Sequence, residues 1–380
     1  MGVEKANAAF VYAEHLTQYR ARPDHPLQPR RLKLVYELLE AYGVFNGSKA
    51  QVAAPRIATR DEVEWSHDPD YVSAVRELSL GDASARNPGE FGFSQHGDNP
   101  SFPGMYDAHL WSTGASLKAA ESVLGGEVAV AAANFAGGLH HAMARRASGF
   151  CVFNDPAIAI ELLRRRGKRV AYVDIDAHHG DGVQDAFYDT GQVLTISLHE
   201  TGQYLFPGTG FVHEMGEGAG LGYSVNVPLF PYTDDATYLW AFRQVVPPLI
   251  EAFKPDVLVT QLGIDTHVDD PLTHLALTSH GYSAVVREFA AMRLPWVAMG
   301  GGGYSLDAVA RCWSLATSIM AGIELPDEIP ASYAATHGVS RLHDARNVHV
   351  PDGAQAEVRR FAERTVQDIQ HNIFPIHHIK

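Results

Sequence analysis

Cysteine is nearly absent: Cys151 and Cys312 are the only two in a chain of 380 residues. Two cannot build a disulfide framework, which excludes the small stapled secreted scaffolds and suits a reducing compartment. Positive charge is also short. Lys and Arg total 30 against 44 Asp and Glu, a formal net charge of −14, which disfavours nucleic acid and suits a cationic partner. No apolar run approaches the ~18 residues of a membrane span. The opening MGVEKANAAFVYAEHL has no basic stretch leading into an apolar core. Met1-Gly2 does not read as a myristoylation signal, because Ala6 stands where that signal requires Ser or Thr. The expectation is a cytoplasmic protein with no membrane attachment.

What is present is a large core-forming fraction, 46% hydrophobic against 19% charged, the balance of a globular protein. Short apolar runs recur: Phe10 to Tyr12, Val128 to Ala131, Val170 to Val173, Leu194 to Ser197, Val257 to Thr260 and Trp296 to Met299. They read as buried parallel strands. Helical patterns lie between them, at Ala157 to Arg166 and at Tyr238 to Phe253, the second interrupted by Pro247-Pro248. The alternation implies an α/β protein with helices on both faces of a mostly parallel sheet. There is no internal repeat and no linker, so residues 1–380 are expected to form one domain, with Asn87 to Gly104 and Gly202 to Gly222 as site-forming loops. Val358, Phe361, Val366 and Ile369 share one side of a C-terminal helix expected over 354–370.

In open α/β sheets, reactive groups gather beyond the carboxyl ends of the strands. VAYVDIDAHHGDG places Asp174, Asp176, His178 and Asp181 after one strand. VLTISLHE puts Ser197 and His199 at the end of the next, VLVTQLGIDTHVDDP puts Asp265 at that of a third, and WVAMGGGGY delivers Tyr304. Asp176 and His178, two apart on an extended segment, point the same way. With Asp265 they make a set of two carboxylates and one imidazole that leaves room for water, the pattern of a catalytic metal site. Zn2+ suits it; Fe2+, Co2+ and Mn2+ are chemically admissible. By itself an Asp-x-His tripeptide is as readily a capped turn. Two unclaimed carboxylates, Asp174 and Asp181, stand ready to orient the tandem His140-His141, and two His–Asp pairs beside a metal water make acid/base machinery. His377-His378 in the tail reads as a surface pair. Gly300 to Gly303 fit neither a P-loop nor a dinucleotide motif. They are read as letting the backbone pass close to the site and presenting Tyr304 as an oxyanion donor.

These blocks, GGLHHAMARRASGFCVFND, YVDIDAHHGDGVQDAFY, TISLHETGQYLFPGTG, QLGIDTHVDDP and GGGGY, resemble the zinc-dependent histone deacetylase superfamily. The resemblance is strongest to its bacterial acetoin-utilisation-type branch and runs from about Arg20 to Leu325. It implies an arginase/deacetylase-type fold with an eight-stranded parallel sheet, and hydrolysis of the N-acetyl amide of acetyl-lysine in proteins. By position, Asp176, His178 and Asp265 resemble the zinc ligands and Tyr304 the transition-state phenol. His141 with Asp181 resembles the general base, and His140 with Asp174 the electrostatic histidine. Phe150 and Phe206 resemble the two tunnel aromatics, Gly149 the lining carbonyl, Leu272 the outer wall, and Asp98 the rim carboxylate. Structural K+ is implied at two places. One would use Asp174, Asp176, His178, Ser197 and Leu198, the other the carbonyls of Phe187, Thr190, Val193 and Tyr223. Ser197 reads equally as a strand-end hydroxyl. Leu139 stands where many eukaryotic members carry Trp, and Arg31 is read either as an internal-channel arginine or as a surface one.

A related binuclear ureohydrolase is disfavoured, since Gly180 and His267 occupy positions where its second metal needs acids. An acetylpolyamine amidohydrolase of the same superfamily is the alternative, although polyamine-directed relatives carry Glu at the Leu272 position. A catalytically silent acyl-lysine binder is more remote, having no use for intact acid/base pairs. The oligomeric state stays open.

Overall fold

The structure, a computed structural model, describes residues 5–18, 21–81, 86–345 and 353–380. Met1, Gly2 and Arg20, named above, lie outside the described residues. Eight strands form one sheet: β1 Ala8–Val11, β2 Ala50–Ala53, β3 Ala131–Asn134, β4 Val170–Asp174, β5 Val193–Glu200, β6 Ser224–Leu229, β7 Val257–Gln261 and β8 Trp296–Met299. They run in the order β2-β1-β3-β8-β7-β4-β5-β6, every neighbouring pair parallel. Helices cover both faces, as the resemblance implies. Every residue of β4, β5, β7 and β8 is buried, which is why these strands read as unbroken apolar runs.

Two strands escape the sequence reading because they sit at the edges. β2 (AQVA) exposes Gln51 and Val52 and so lacks an apolar run. β6 (SVNVPL) carries Ser224 and Asn226, whose side chains donate to the Gln184 amide oxygen at 2.9 and 2.7 Å, and Pro228, which an edge strand tolerates. Helix Ala354–Asn372 packs on β6, and Thr365 Oγ1 donates to the Pro228 carbonyl at 3.1 Å. That helix buries Val358, Val366 and Ile369 as expected, and it shields the sheet edge from pairing with another chain.

Other expectations need correcting. The strand expected at Val128 to Ala131 begins only at Ala131 and runs to Asn134. The interruption expected at Pro247-Pro248 does not occur: helix Asp235–Phe253 runs through both prolines, with Val245, Val246, Leu249 and Ile250 buried around them. Packing of that apolar side outweighs the missing donors. His377 is no surface accident, since its Nε2 contacts the Gly222 carbonyl at 2.8 Å and its ring abuts Tyr223.

A candidate metal centre at the strand ends

The five strands that deliver the site, β3, β8, β7, β4 and β5, are consecutive in the sheet. At or beyond the carboxyl ends of the first four come His140 and His141, Gly300 to Tyr304, Asp265, and Asp174 to Asp181, while Ser197 lies inside β5, which runs on to Glu200. Parallel strands end on one side, so residues far apart in sequence meet there.

Asp176 and His178 do converge, but not as alternate residues of a strand. Residues 176–178 form a bend just past β4, in which Asp176 Oδ1 accepts the His178 N–H at 3.0 Å. Asp265 completes the group: His178 Nδ1 lies 2.8 Å from Asp265 Oδ2 and 3.1 Å from Asp176 Oδ1. The second oxygen of Asp176 accepts from Gln261 Nε2 at 2.6 Å and from Gly302 N–H at 2.7 Å, and Asp265 Oδ1 accepts from Ala177 N–H at 2.8 Å. Gly302 must be glycine here, because a Cβ would collide with the Asp265 carboxylate. This is the close backbone passage expected of the glycine run.

The donor set suits a divalent cation. One ligand atom from each of Asp176, His178 and Asp265 lies within 4.8 Å of the others, all three side chains are sunk in the protein, and among the described residues no Lys or Arg is ion-paired to either carboxylate. Burial opposes a charge on His178, but the flanking Asp176 and Asp265 hold its pKa well above the ordinary imidazole value. A pocket that retains a proton so firmly between two carboxylates is a pocket for positive charge. Two oxygens and one nitrogen match zinc and its borderline neighbours.

The tandem histidines stand beside this set, each backed by its own carboxylate. His140 Nδ1 lies 2.7 Å from Asp174 Oδ2, which also accepts from the Tyr172 hydroxyl at 2.6 Å. His141 Nδ1 lies 2.7 Å from Asp181 Oδ1, and the two Nε2 atoms are 3.0 Å apart. Their environments push their protonation in opposite directions. Burial opposes a charge on His140, yet Asp174 and Asp176 raise its pKa to about 9, whereas burial and the neighbouring charge of His140 lower that of His141 to about 4. These shifts favour a cationic His140 and a neutral His141, whose Nε2 lone pair faces His140 Nε2. Tyr304 is kept a phenol: burial, then the Asp265 and Asp176 charges, raise its pKa well above the usual value.

A pocket opens over this floor, bounded by Gly149, Phe150, Leu139, His178 and Tyr304. Phe150 meets the Tyr304 ring edge-on at 5.8 Å, and Phe206 meets His141 at 5.1 Å and His178 at 6.4 Å. Gly149 is wedged between His141 and Phe206, with a left-handed φ of +49°, so that a side chain there would strike the imidazole. Leu272 and Asp98 lie further out and are exposed; the Asp98 carbonyl is bonded by His25 Nε2 at 3.1 Å. Arg31 is buried, donates to the Gly303 carbonyl at 3.1 Å and stacks over Trp313, which removes the surface reading. Leu139 separates the pocket from a second one that Arg31 lines.

The two potassium expectations fall at different levels of β5, one at its middle and one at its start. Asp174, the last residue of β4, is in register with Ser197, which lies inside β5 and so is not the strand-end hydroxyl expected, and Ser197 Oγ is engaged by His199 Nδ1 at 2.8 Å. Phe187, Thr190, Val193 and Tyr223 gather where β5 begins, and the Tyr223 carbonyl accepts from Thr195 N–H at 2.9 Å.

Sequence reasoning missed several supporting residues. Gln261, at the last position of β7, orients Asp176. Asp270 accepts from Tyr304 N–H at 2.8 Å. Asn154 Nδ2 donates to the carbonyls of His140 and Ala142, while Asp155 accepts from Gly138 and Leu139 N–H. All four sit inside the motif blocks; Gln261 ends an apolar strand and Asn154 and Asp155 open a helix, whereas Asp270, in a loop, carried no such signal.

Comparison with known proteins agrees with this arrangement. Residues 25–320 match the histone deacetylase domain. Acetoin utilization protein AcuC of Bacillus subtilis is 40% identical over 334 residues, 86% of this chain and 85% of that protein. Histone deacetylase clr6 of Schizosaccharomyces pombe is 37% identical over 330 residues, 87% of this chain and 80% of that one. The crystal structure of an HDAC homolog from Aquifex aeolicus superposes with a TM-score of 0.86 at 32% identity, covering 96% of this chain and 100% of that chain. An HDAC homolog complexed with SAHA superposes with a TM-score of 0.83 at 32% identity, with the same coverage.

Proposed function

The chain belongs to the histone deacetylase family, an amidohydrolase family that depends on metal, and from that premise we propose that it removes acetyl groups from N-ε-acetyl-lysine in protein or peptide substrates. The observation that carries the reading is the pair of His–Asp couples, their Nε2 atoms 3.0 Å apart, beside the Asp176, His178 and Asp265 donors. Zn2+, or Fe2+ or Co2+ in its place, would supply Lewis acidity there, acidifying water and polarising the acetyl carbonyl.

The chain's own groups account for the rest. Phe150, Phe206 and Gly149 hold the aliphatic arm and keep bulk water out. His141, neutral and with its Nδ1–H turned to Asp181, takes a proton from the attacking water at Nε2, and Asp181 stabilises the imidazolium that forms. Water adds to the carbonyl carbon, and the Tyr304 hydroxyl donates to the oxygen as it becomes anionic. His140, held cationic by Asp174, favours the same negative charge. The C–N bond then breaks, His141 returns its proton to the leaving amine, and acetate and free lysine remain. Leu272 offers the outer arm only apolar contact, which favours acetyl-lysine over a polyamine with a second ammonium. Asp98 at the rim would accept from the peptide backbone, and the −14 net charge suits lysine-rich partners rather than nucleic acid. The reading includes one catalytic domain over 1–380, K+ at the two places named above, and a cytoplasmic setting in which buried Cys151 and Cys312 stay reduced. Among the described residues no helix is long and apolar enough to cross a membrane.

The test is turnover of an acetyl-lysine peptide and of acetylspermidine, side by side, by enzyme stripped with a chelator and reloaded with one ion. Activity should vanish on stripping, return with Zn2+ or Co2+, and favour the peptide. Full activity without metal defeats the mechanism; a preference of about tenfold or more for acetylspermidine makes the chain an acetylpolyamine amidohydrolase.

A further inference from the structure

The loop after β7 carries three groups of the site at once. Asp265 faces His178, Asp270 holds the backbone N–H of Tyr304, and Leu272, whose own N–H donates to Asp270 Oδ1 at 3.0 Å, stands at the outer wall. One of the supports behind this loop lies outside the family match, which ends at residue 320. Residues 326–344 form a strap. Glu328 and Arg341 pair in an antiparallel bridge, Leu342 is wholly buried, and Asp327 accepts from Arg341 at 2.7 Å and from His343 N–H at 2.8 Å.

The strap ends in Asp344, whose carboxylate is a junction. Oδ2 accepts from His267 Nε2 at 3.0 Å and from Ser279 N–H at 2.7 Å, and Oδ1 accepts from Arg311 Nη1 at 2.8 Å. Its backbone N–H donates to Ser279 Oγ at 2.8 Å and its carbonyl contacts His280 Nε2 at 3.2 Å. Burial of the carboxylate works against its charge, but His267, the Ser279 N–H and Arg311 hold its pKa well below the usual range. His267 is fixed in turn: its Nδ1 accepts from Asp269 N–H at 3.1 Å and its carbonyl accepts from Asp270 N–H at 2.8 Å. His267, Asp269 and Asp344 also bring ligand atoms within 4.8 Å of one another. Arg311 already balances Asp344, so the cluster reads as a clasp and not as a second cation site.

We propose that Asp344 is a positioning residue for the hydrolysis: through His267 and the head of helix Ser279–Ala291 it fixes the loop that presents Asp265, Asp270 and Leu272, and so places Tyr304 over the acetyl carbonyl. A buried charge network that bridges two segments has discrete, not graded, arrangements, and small displacements of an oxyanion donor are costly. The inference rests on the deacetylase reading above and adds a residue that touches neither substrate nor metal.

The test compares the parent with Asp344→Ala and Asp344→Asn, and with Val366→Ala, a truncation under the C-terminal helix, as a control for stability loss alone. Asp344→Ala should lower kcat about 10- to 100-fold with KM changed less than about threefold. It should retain one equivalent of metal, alter the visible absorption of the Co2+ form, and speed amide exchange in 265–272 and at Tyr304. Asp344→Asn keeps one oxygen for His267 and Ser279 and should fall between; it serves alone if the alanine variant does not fold. Val366→Ala should leave kcat within about twofold. A folded Asp344 variant with parental kcat and parental exchange overturns the proposal, as does an equal kcat loss in Val366→Ala at the same melting temperature. A parent inactive on every acetyl amide overturns the deacetylase reading instead, while the exchange and Co2+ readouts still decide the clasp.

Discussion

At the floor of the pocket Asp174, Asp176 and Asp265 are at most 1% exposed and each accepts two or more hydrogen bonds, several from backbone N–H groups at strand ends. At the rim Phe206 is 44% exposed and Leu272 37%, both on loops, and Asp98 reaches the rest of the protein through its carbonyl rather than its carboxylate. The floor is thus over-determined and the rim is not. Groups that must meet within tenths of an ångström hang from the sheet, where each is held from several sides, whereas groups that only select a substrate sit where a single side chain can change without disturbing its neighbours.

Replacing one floor residue should therefore cost far more than replacing one rim residue. The largest loss is expected for His141→Ala, about 10²- to 10⁴-fold in kcat, because no other lone pair faces the attacking water. His140→Ala should lose less, its contribution being charge and not proton transfer. Single-turnover rates at equal metal content check this, and a greater loss for His140→Ala would exchange the two roles. Next comes Tyr304→Phe, which removes one oxygen and little volume. It should lower kcat about 10²- to 10³-fold with much less change in substrate binding; a parental kcat in the folded variant would leave the oxyanion without its donor.

A third consequence concerns the wall behind the floor. His67 accepts from Asn154 N–H at 2.8 Å and contacts the Met143 carbonyl at 3.0 Å, and burial lowers its pKa to about 4. The unfolded chain gains this proton near pH 6.5 but the folded one resists it until about 4, so stability is present above 6.5 and is lost as pH falls through that window. At pH 5 the loss is about 2 kcal/mol from this residue. His67→Gln should be less stable at pH 7 but should show a shallower acid slope in denaturant titrations at pH 5 and 7; parallel slopes would show that His67 protonates freely. The smallest effect belongs to the rim. Leu272→Glu should leave kcat on the peptide within a few-fold yet shift the acetylspermidine-to-peptide ratio of kcat/KM about fivefold toward the polyamine, a half-exposed carboxylate giving modest discrimination. A shift as large as those at the floor would mean that the wall is as tightly built as the ligands.

Much of this was legible in the chain. The interior strands announce themselves because both faces are buried, and the chemistry follows them because polar residues after such a run have few other uses. His140, His141, Asp174, Asp176, His178, Asp181, Asp265 and Tyr304 could be picked out on that ground and on the family blocks. The rest was hidden for identifiable reasons. β2 and β6 lack apolar runs because one is half exposed and the other pairs its polar side chains with Gln184. Helix Asp235–Phe253 defies its prolines because packing outweighs local preference.

Sequence alone determined which residues were available at each strand end, since hydrophobic periodicity and residue chemistry are local properties. Tertiary structure decided which of them face each other. The bend that turns Asp176 toward His178, the choice of Gln261 as partner to Asp176, the opposite protonation of two adjacent histidines and the reach of Asp344 to His267 all depend on the strand order, which sets burial, distance and charge between segments that no local pattern relates.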